Sequence, residues 1–298
     1  MGSTASEKPM NCLPAGALVI LLSALVVPET RFVHADENAP GDLEQRDARY
    51  AADLARKTLP TLSLTSGGTP LARPEASLLR WSNPTAGRVY GNVFLWTDGV
   101  RPVAITNLYK FFEPHTSYTV ELIAFDDRPL LLSLNGAAIW RPRRPEPDWS
   151  AVEPAVAPLP VPAARLGQMR AIAQKVHFEL IDTRNDRNGV KQELRLIDRP
   201  LYRYPAPPMG AAVSTTRPLD GALFAYVVSN DPEAWLLVET TDRGYRVRCF
   251  RMNIDALRAR GSFGPVSTPL GEWPRLTWPE IIANGAYAVR MLEEPAAP

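Results

Sequence analysis

Apolar and polar residues alternate along most of this chain, in short runs punctuated by Gly, Asn, Asp and Pro. In VYGNVFLWTDGVRPVAITNLYKFF, Phe94 and Trp96 alternate with Val93 and Leu95. That pattern predicts a strand with two buried faces, or with one buried face and a covered edge. The turn residues of TDGVRP fold it back onto a return strand over Val103–Phe112. The wording recurs in GALFAYVVSNDPEAWLLVET, where Phe224, Tyr226 and Val228 alternate and SNDP turns the chain into Glu233–Thr240. Further hairpins are expected at Asn135-Gly136, Arg184–Gly189 and Asp242–Gly244. Helical spacing is rarer. Residues 42–58 carry Leu43, Tyr50 and Leu54 on one stripe among charges. Residues 163–176 carry Leu166, Met169, Ile172 or Ala173, and Val176, behind Pro162 at a first-turn position. Asn253–Arg260, with an Asn cap and Gly261 as a stop, reads as a short third helix. These elements predict an α+β fold, mainly antiparallel β-sheet with a few amphipathic helices.

The order of elements is written twice. Each part opens with a helix and continues to a Leu-x-Arg-aromatic-x-x-Pro motif, LLRWSNP at 78–84 and LYRYPAP at 201–207. Each then reaches the Gly-x-apolar-Phe-x-aromatic strand and a Pro-led return strand. Two readings follow: two similar halves from a duplicated unit, or one domain with coincidental wording. Under duplication, Gly91 and Gly221 mark one place and Pro102 and Pro232 another. Arg80 and Arg203 then occupy equivalent sites against Trp81 and Tyr204.

The first residues change the picture of where the protein works. A polar start leads to an apolar run from Leu13 to Val27, too short to span a bilayer as a helix. FVHAD follows, with Val33 and Ala35 at the two small positions of a signal-peptidase site. Residues 1–35 are therefore expected to be a secretory signal, with Asp36 as the mature N-terminus and no membrane span after cleavage. Of 30 prolines, a dense group falls in RPRRPEPDWSAVEPAVAPLPVPA. That segment, 141–163, is expected to be an extended linker. It separates an N-terminal α+β half, 36–140, from a C-terminal one, 164–298. Cys249 is the cysteine left after the signal, so no internal disulfide forms. A formal charge of +1 argues against nucleic acid or an anionic membrane surface as partner.

SNPTAGRVYGNVFLWT, DRNGVKQELRLI, LYRY and DGALFAYVVSNDPEAWLLVE resemble a family of uncharacterised exported proteins of planctomycete bacteria. The resemblance covers most of residues 75–260. It implies export, periplasmic or secreted, and implies no activity.

Candidate chemistry is thin. His115 in FFEPHTSY stands near Glu113 and Ser117, as a base for Ser117 or a ligand beside Glu113; the plain alternative is a loop histidine. His177 alternates with Val176 and Phe178 and reads as structural. Asp186–Gly189 matches a fragment of a calcium loop, but Arg184 and Arg195 occupy the positions of its first and last acidic ligands, which favours a plain hairpin turn. Arg80 with Trp81, and Arg203 with Tyr204, offer cation–aromatic contacts or a ligand-binding surface. Asp126-Asp127, Glu179 and Asp182 are acids without a diagnostic spacing. Cys249 alternates with Tyr245 and Val247 and is expected to be buried and inert. No metal site or cofactor motif is present, and no nucleophile elbow, zinc motif or phosphate loop. The sequence therefore points to a non-catalytic binding or envelope-associated protein with a protein or small-molecule partner. The alternative is a hydrolase without a recognisable motif, for example an acid-pair glycoside hydrolase.

Overall fold

The computed structural model describes residues 40–145, 147–182, 189–204 and 220–295, so the expected signal segment, residues 1–35, and residues 183–188, where a hairpin is expected, lie outside the described residues. In chain order the first half runs α1 (Pro40–Thr58), β1 (Leu62–Ser66), β2 (Thr69–Pro70), β3 (Leu79–Ser82), β4 (Val89–Asp98), β5 (Arg101–Phe111), β6 (Ser117–Ala124), β7 (Leu130–Leu134) and β8 (Ala137–Trp140). A connecting segment carries β9 (Ser150–Ala151). The second half runs α2 (Pro162–Ala173), β10 (Val176–Asp182), β11 (Val190–Glu193), β12 (Arg195–Leu196), β13 (Tyr202–Tyr204), β14 (Gly221–Val228), β15 (Asp231–Thr240), β16 (Tyr245–Arg251), β17 (Ala256–Gly261) and β18 (Thr268–Trp273), and the chain ends with α3 (Trp278–Ile281) and β19 (Tyr287–Leu292).

Every pairing is antiparallel. Two small sheets have the orders β2-β1-β7-β8 and β11-β10-β17-β18. Two large sheets have the orders β3-β4-β5-β6-β19 and β13-β14-β15-β16-β9, with β12 beside β13 on β14. The alternation of the long strands is satisfied by burial on both faces. Phe94 and Trp96 enter an outer core with Leu54 and Ala55 of α1 and Leu62, Leu64 and Leu132 of the first small sheet. Phe224 and Tyr226 do the same with Met169 and Ile172 of α2 and Phe178 and Leu257 of the second. The opposite faces, with Val93, Leu95 and Ile105 on one sheet and Leu223, Trp235 and Leu237 on the other, meet in a shared central core. The described residues from Pro40 onward therefore fold as one compact unit.

The register explains the repeated glycines. Trp81 stands opposite Gly91, and Tyr204 opposite Gly221. A Cβ on either glycine would come within 2.1 Å of the ring facing it, so each glycine is the floor on which an aromatic ring lies. The backbone N–H of Leu78 donates to Val93, and that of Leu201 to Leu223. Each return strand bulges just after its proline, with Val103 the extra residue after Pro102 in one half and Glu233 after Pro232 in the other.

Several expectations need correction. Asn253–Arg260 is not a helix: the Asn253 side chain accepts from the Asp255 N–H at 2.6 Å, a turn that launches strand β17. Leu257 and Ala259 alternate into the outer core between β10 and β18, and sheet pairing outweighs the local cap signal. Tyr50 is on the exposed side of α1, its hydroxyl on Glu294 at 2.6 Å, and Ala51 and Ala55 take its place in the buried stripe. The Pro-rich segment, expected to be an extended linker, is held against the second large sheet. Arg248, 1 % exposed, donates to the carbonyls of Pro145 and Pro147, and β9 pairs with β16. β19 returns to the first large sheet by pairing with β6, so the boundary at 164 does not separate the sheets. No helix among the described residues is long and apolar enough to cross a membrane.

Candidate functional site: an acidic cleft between the large sheets

Strand alternation places residues two apart on one face. Glu121 is two from Ile123 on β6, and Glu233 two from Trp235 on β15, so both carboxylates face the central core. Asp231, at the start of β15, and Asp255, just before β17, join them. The four acids line a cleft of about 330 Å³ with aromatic walls from Trp81, Tyr109, Phe111 and Tyr287.

Neutral groups hold three of these acids. Asn107 donates to Glu121 Oε2 at 2.8 Å and the Tyr287 hydroxyl to Oε1 at 2.8 Å. Asn83, from the other half, donates to Asp231 at 3.1 Å. Asn253 donates to Glu233 Oε2. Behind Asn107 the Trp81 indole N–H donates to its Oδ1 at 2.9 Å, which fixes the amide orientation. Among the described residues no Lys or Arg forms an ion pair with Glu121, Asp231 or Glu233; Asp255 has Arg275 at 3.4 Å.

Carboxylates that lose water without gaining a cation hold their protons. Burial pushes Glu121 up to about 7, against the pull of Asn107 and Tyr287. Burial pushes Glu233 up to about 8, with the charge on Glu121 adding to the effect. Asp231 is raised well above the usual carboxyl range by burial and by Glu233 and Glu121 beside it. Acids in a second concave region are paired instead. In a cleft of about 440 Å³ on the second small sheet, His177 meets Glu193 at 2.7 Å and Lys191 meets Glu179 at 3.4 Å.

Of the sequence candidates, Trp81 alone lies in this cleft. Arg80 is exposed and Arg203 binds Asp220 at 2.6 Å, while Trp81 and Tyr204 turn inward. Neighbouring strand residues point to opposite faces, so neither expected cation–aromatic contact forms. Tyr204 donates to the fully buried Glu239 at 2.7 Å. His115 is exposed and stacks on Phe111 at 4.7 Å between ring centres. Glu113 pairs with Arg88 at 3.4 Å, and Ser117 is buried at the start of β6. No hydrogen bond joins His115 to Glu113 or Ser117 among the described residues. Asp126 and Asp127 face Arg128 and Arg248, and Cys249 is buried, with burial pushing its thiol well up.

The sequence reading missed Glu121, Asp231 and Glu233. A signal existed: TVELIA and PEAWLL each set a lone acid within an apolar strand, where an acid is costly unless it is paired or used. Comparison with family models, with curated proteins and with solved structures finds no match for this chain.

Proposed function

We propose that this is an exported, non-catalytic binding protein made of two copies of one helix-and-sheet unit, with the cleft between its large sheets holding a small ligand. One observation carries the binding reading. The cleft collects aromatic walls and several polar groups from both halves, and three of its acids do no ion pairing for the fold. Equal strand orders and the matching glycine registers support the duplicated unit. The Leu13–Val27 run and FVHAD support export to the periplasm or beyond.

A thermal-shift screen of small molecules on the chain from Asp36 tests the binding reading. A ligand class that raises Tm in the native protein and not in Ala86→Trp, which fills the exposed edge of the cleft, supports it. A shift that survives Ala86→Trp, or no shift at all, sinks it. For export, mass spectrometry of the mature protein should find Asp36 at the N-terminus; retention of residues 13–27 ends that idea.

The raised carboxyls favour one second reading, an acid-pair hydrolase. Glu121 or Glu233 would donate a proton near neutral pH while an ionised neighbour acts as base or nucleophile. Turnover of aryl glycosides that disappears in Glu121→Gln and in Glu233→Gln would establish it.

A further inference from the structure

We propose that the ligand of the cleft is a small organic cation, an ammonium or guanidinium group on an apolar body. This rests on the binding reading above. Four observations converge on that chemistry.

First, Glu121, Asp231 and Glu233 arrive from two different sheets, and their partners are amides and a phenol, none of which carries a charge. Second, polar atoms remain unused at the site. Glu233 is 7 % exposed and Asn253 engages only its Oε2. Asp255 is 9 % exposed, and its buried Oδ1 accepts no hydrogen bond and stands 3.4 Å from Arg275, while the Arg251 guanidinium donates to the Asp255 carbonyl at 2.7 Å. Third, these acids do not gather around one point: among the described residues no three His, Cys, Asp or Glu side chains stand close enough to hold a metal ion. A positive charge spread over or attached to a larger body suits such a site better than a point ion. Fourth, the walls are rings, and ring faces attract cations. Trp278 and Ile254 are exposed at the cleft, with exposed Ile282 close by in sequence, so an apolar rim leads to an acidic floor.

The other half shows the charge-reversed arrangement. Glu121 stands opposite Asn107 on β5, and Arg248 stands opposite Leu237 on β15, equivalent places in the two sheets. The Arg248 guanidinium lies near the rings of Trp149 and Phe250 and binds Asp127 at 2.9 Å. There the cation belongs to the chain and the Pro-rich segment covers it. At Glu121 the chain supplies the acid and leaves the cation to be supplied.

A series of three probes of one shape tests the inference: phenethylammonium, 2-phenylethanol and phenylacetate, titrated by calorimetry into the full chain. The ammonium is expected to bind at least about tenfold more tightly than the alcohol, and the carboxylate not at all. Glu121→Gln and Glu233→Gln should each bring the ammonium down towards the alcohol, and Trp278→Ala should weaken both alike. A measurement on the unaltered protein guards against variants that misfold. Ammonium affinity should fall as pH drops from about 9 to about 6, with protons released on binding, while alcohol affinity holds. Equal binding of alcohol and ammonium, or tighter binding of the carboxylate, overturns the cation and leaves the cleft a ligand site. No saturable binding of any probe at millimolar concentration overturns both.

Discussion

Both halves lay an aromatic ring on a strand glycine, and they differ in what stands behind the ring. In the second half Tyr204 donates to Glu239, which is fully buried and is gripped by Arg246 at 2.6 Å, with Arg101 of the first half at 3.4 Å. In the first half Trp81 donates to Asn107, which donates to Glu121, and there the chain of bonds stops at a carboxyl without a cation. One network is a closed ion cluster that ties the halves together. The other ends in a cleft. The two ring-on-glycine networks thus end in opposite electrostatics: the one at Glu239 is neutralised by arginines of the chain, and the one at Glu121 opens on the cleft.

Removing charge from each network should separate the two most strongly. Glu239→Gln leaves Arg246 and Arg101, both partly exposed, facing a neutral group and should cost about 1.5–3 kcal/mol in urea unfolding. Glu121→Gln at alkaline pH should cost nothing or stabilise. Equal losses from the two variants would erase the distinction between closed and open networks.

The shared part of the comparison has its own test. Gly91→Ala and Gly221→Ala each drive a Cβ into a buried ring and should each cost about 1–3 kcal/mol. A loss in one half only would show that the rings do not play the same role.

The pH dependence is smaller and specific to the open network. Glu121 and Glu233 hold protons more tightly folded than unfolded, so between the ordinary value of 4.5 and about 8 the folded chain binds more protons. Stability is therefore fully present below that ordinary value and is lost as pH rises through about 7 and 8. The melting temperature at about pH 5 should exceed that at about pH 9, and Glu121→Gln should reduce the difference. A stability maximum at alkaline pH would contradict an uncompensated acid cluster.

The weakest effect concerns Cys249, which faces Leu236 as Leu122 faces Thr106 in the other half. Buried and with its thiolate disfavoured, it should resist alkylation until the chain unfolds. Stoichiometric native labelling would mean that this outer core opens where its counterpart stays closed.

Much of the fold was legible because its determinants are local. Phe94-x-Trp96 and Phe224-x-Tyr226 fixed strands by their period of two. Gly99 and Asn135-Gly136 marked hairpins whose backbones do take positive φ. The doubled glycine-aromatic wording marked two strands that occupy the same place in their sheets. What the sequence could not disclose depends on distance along the chain. Asn253 read as a helix cap because its turn is local, and the sheet that claims residues 256–261 is not. Glu121, Asp231 and Glu233 look like ordinary strand acids until two sheets close face to face and bring residues over a hundred positions apart around one cleft. Whether a buried acid finds a cation, as Glu239 does in Arg246, or an amide, as Glu121 does in Asn107, is decided by which residue the register of the neighbouring strand sets opposite it, and no local propensity encodes that.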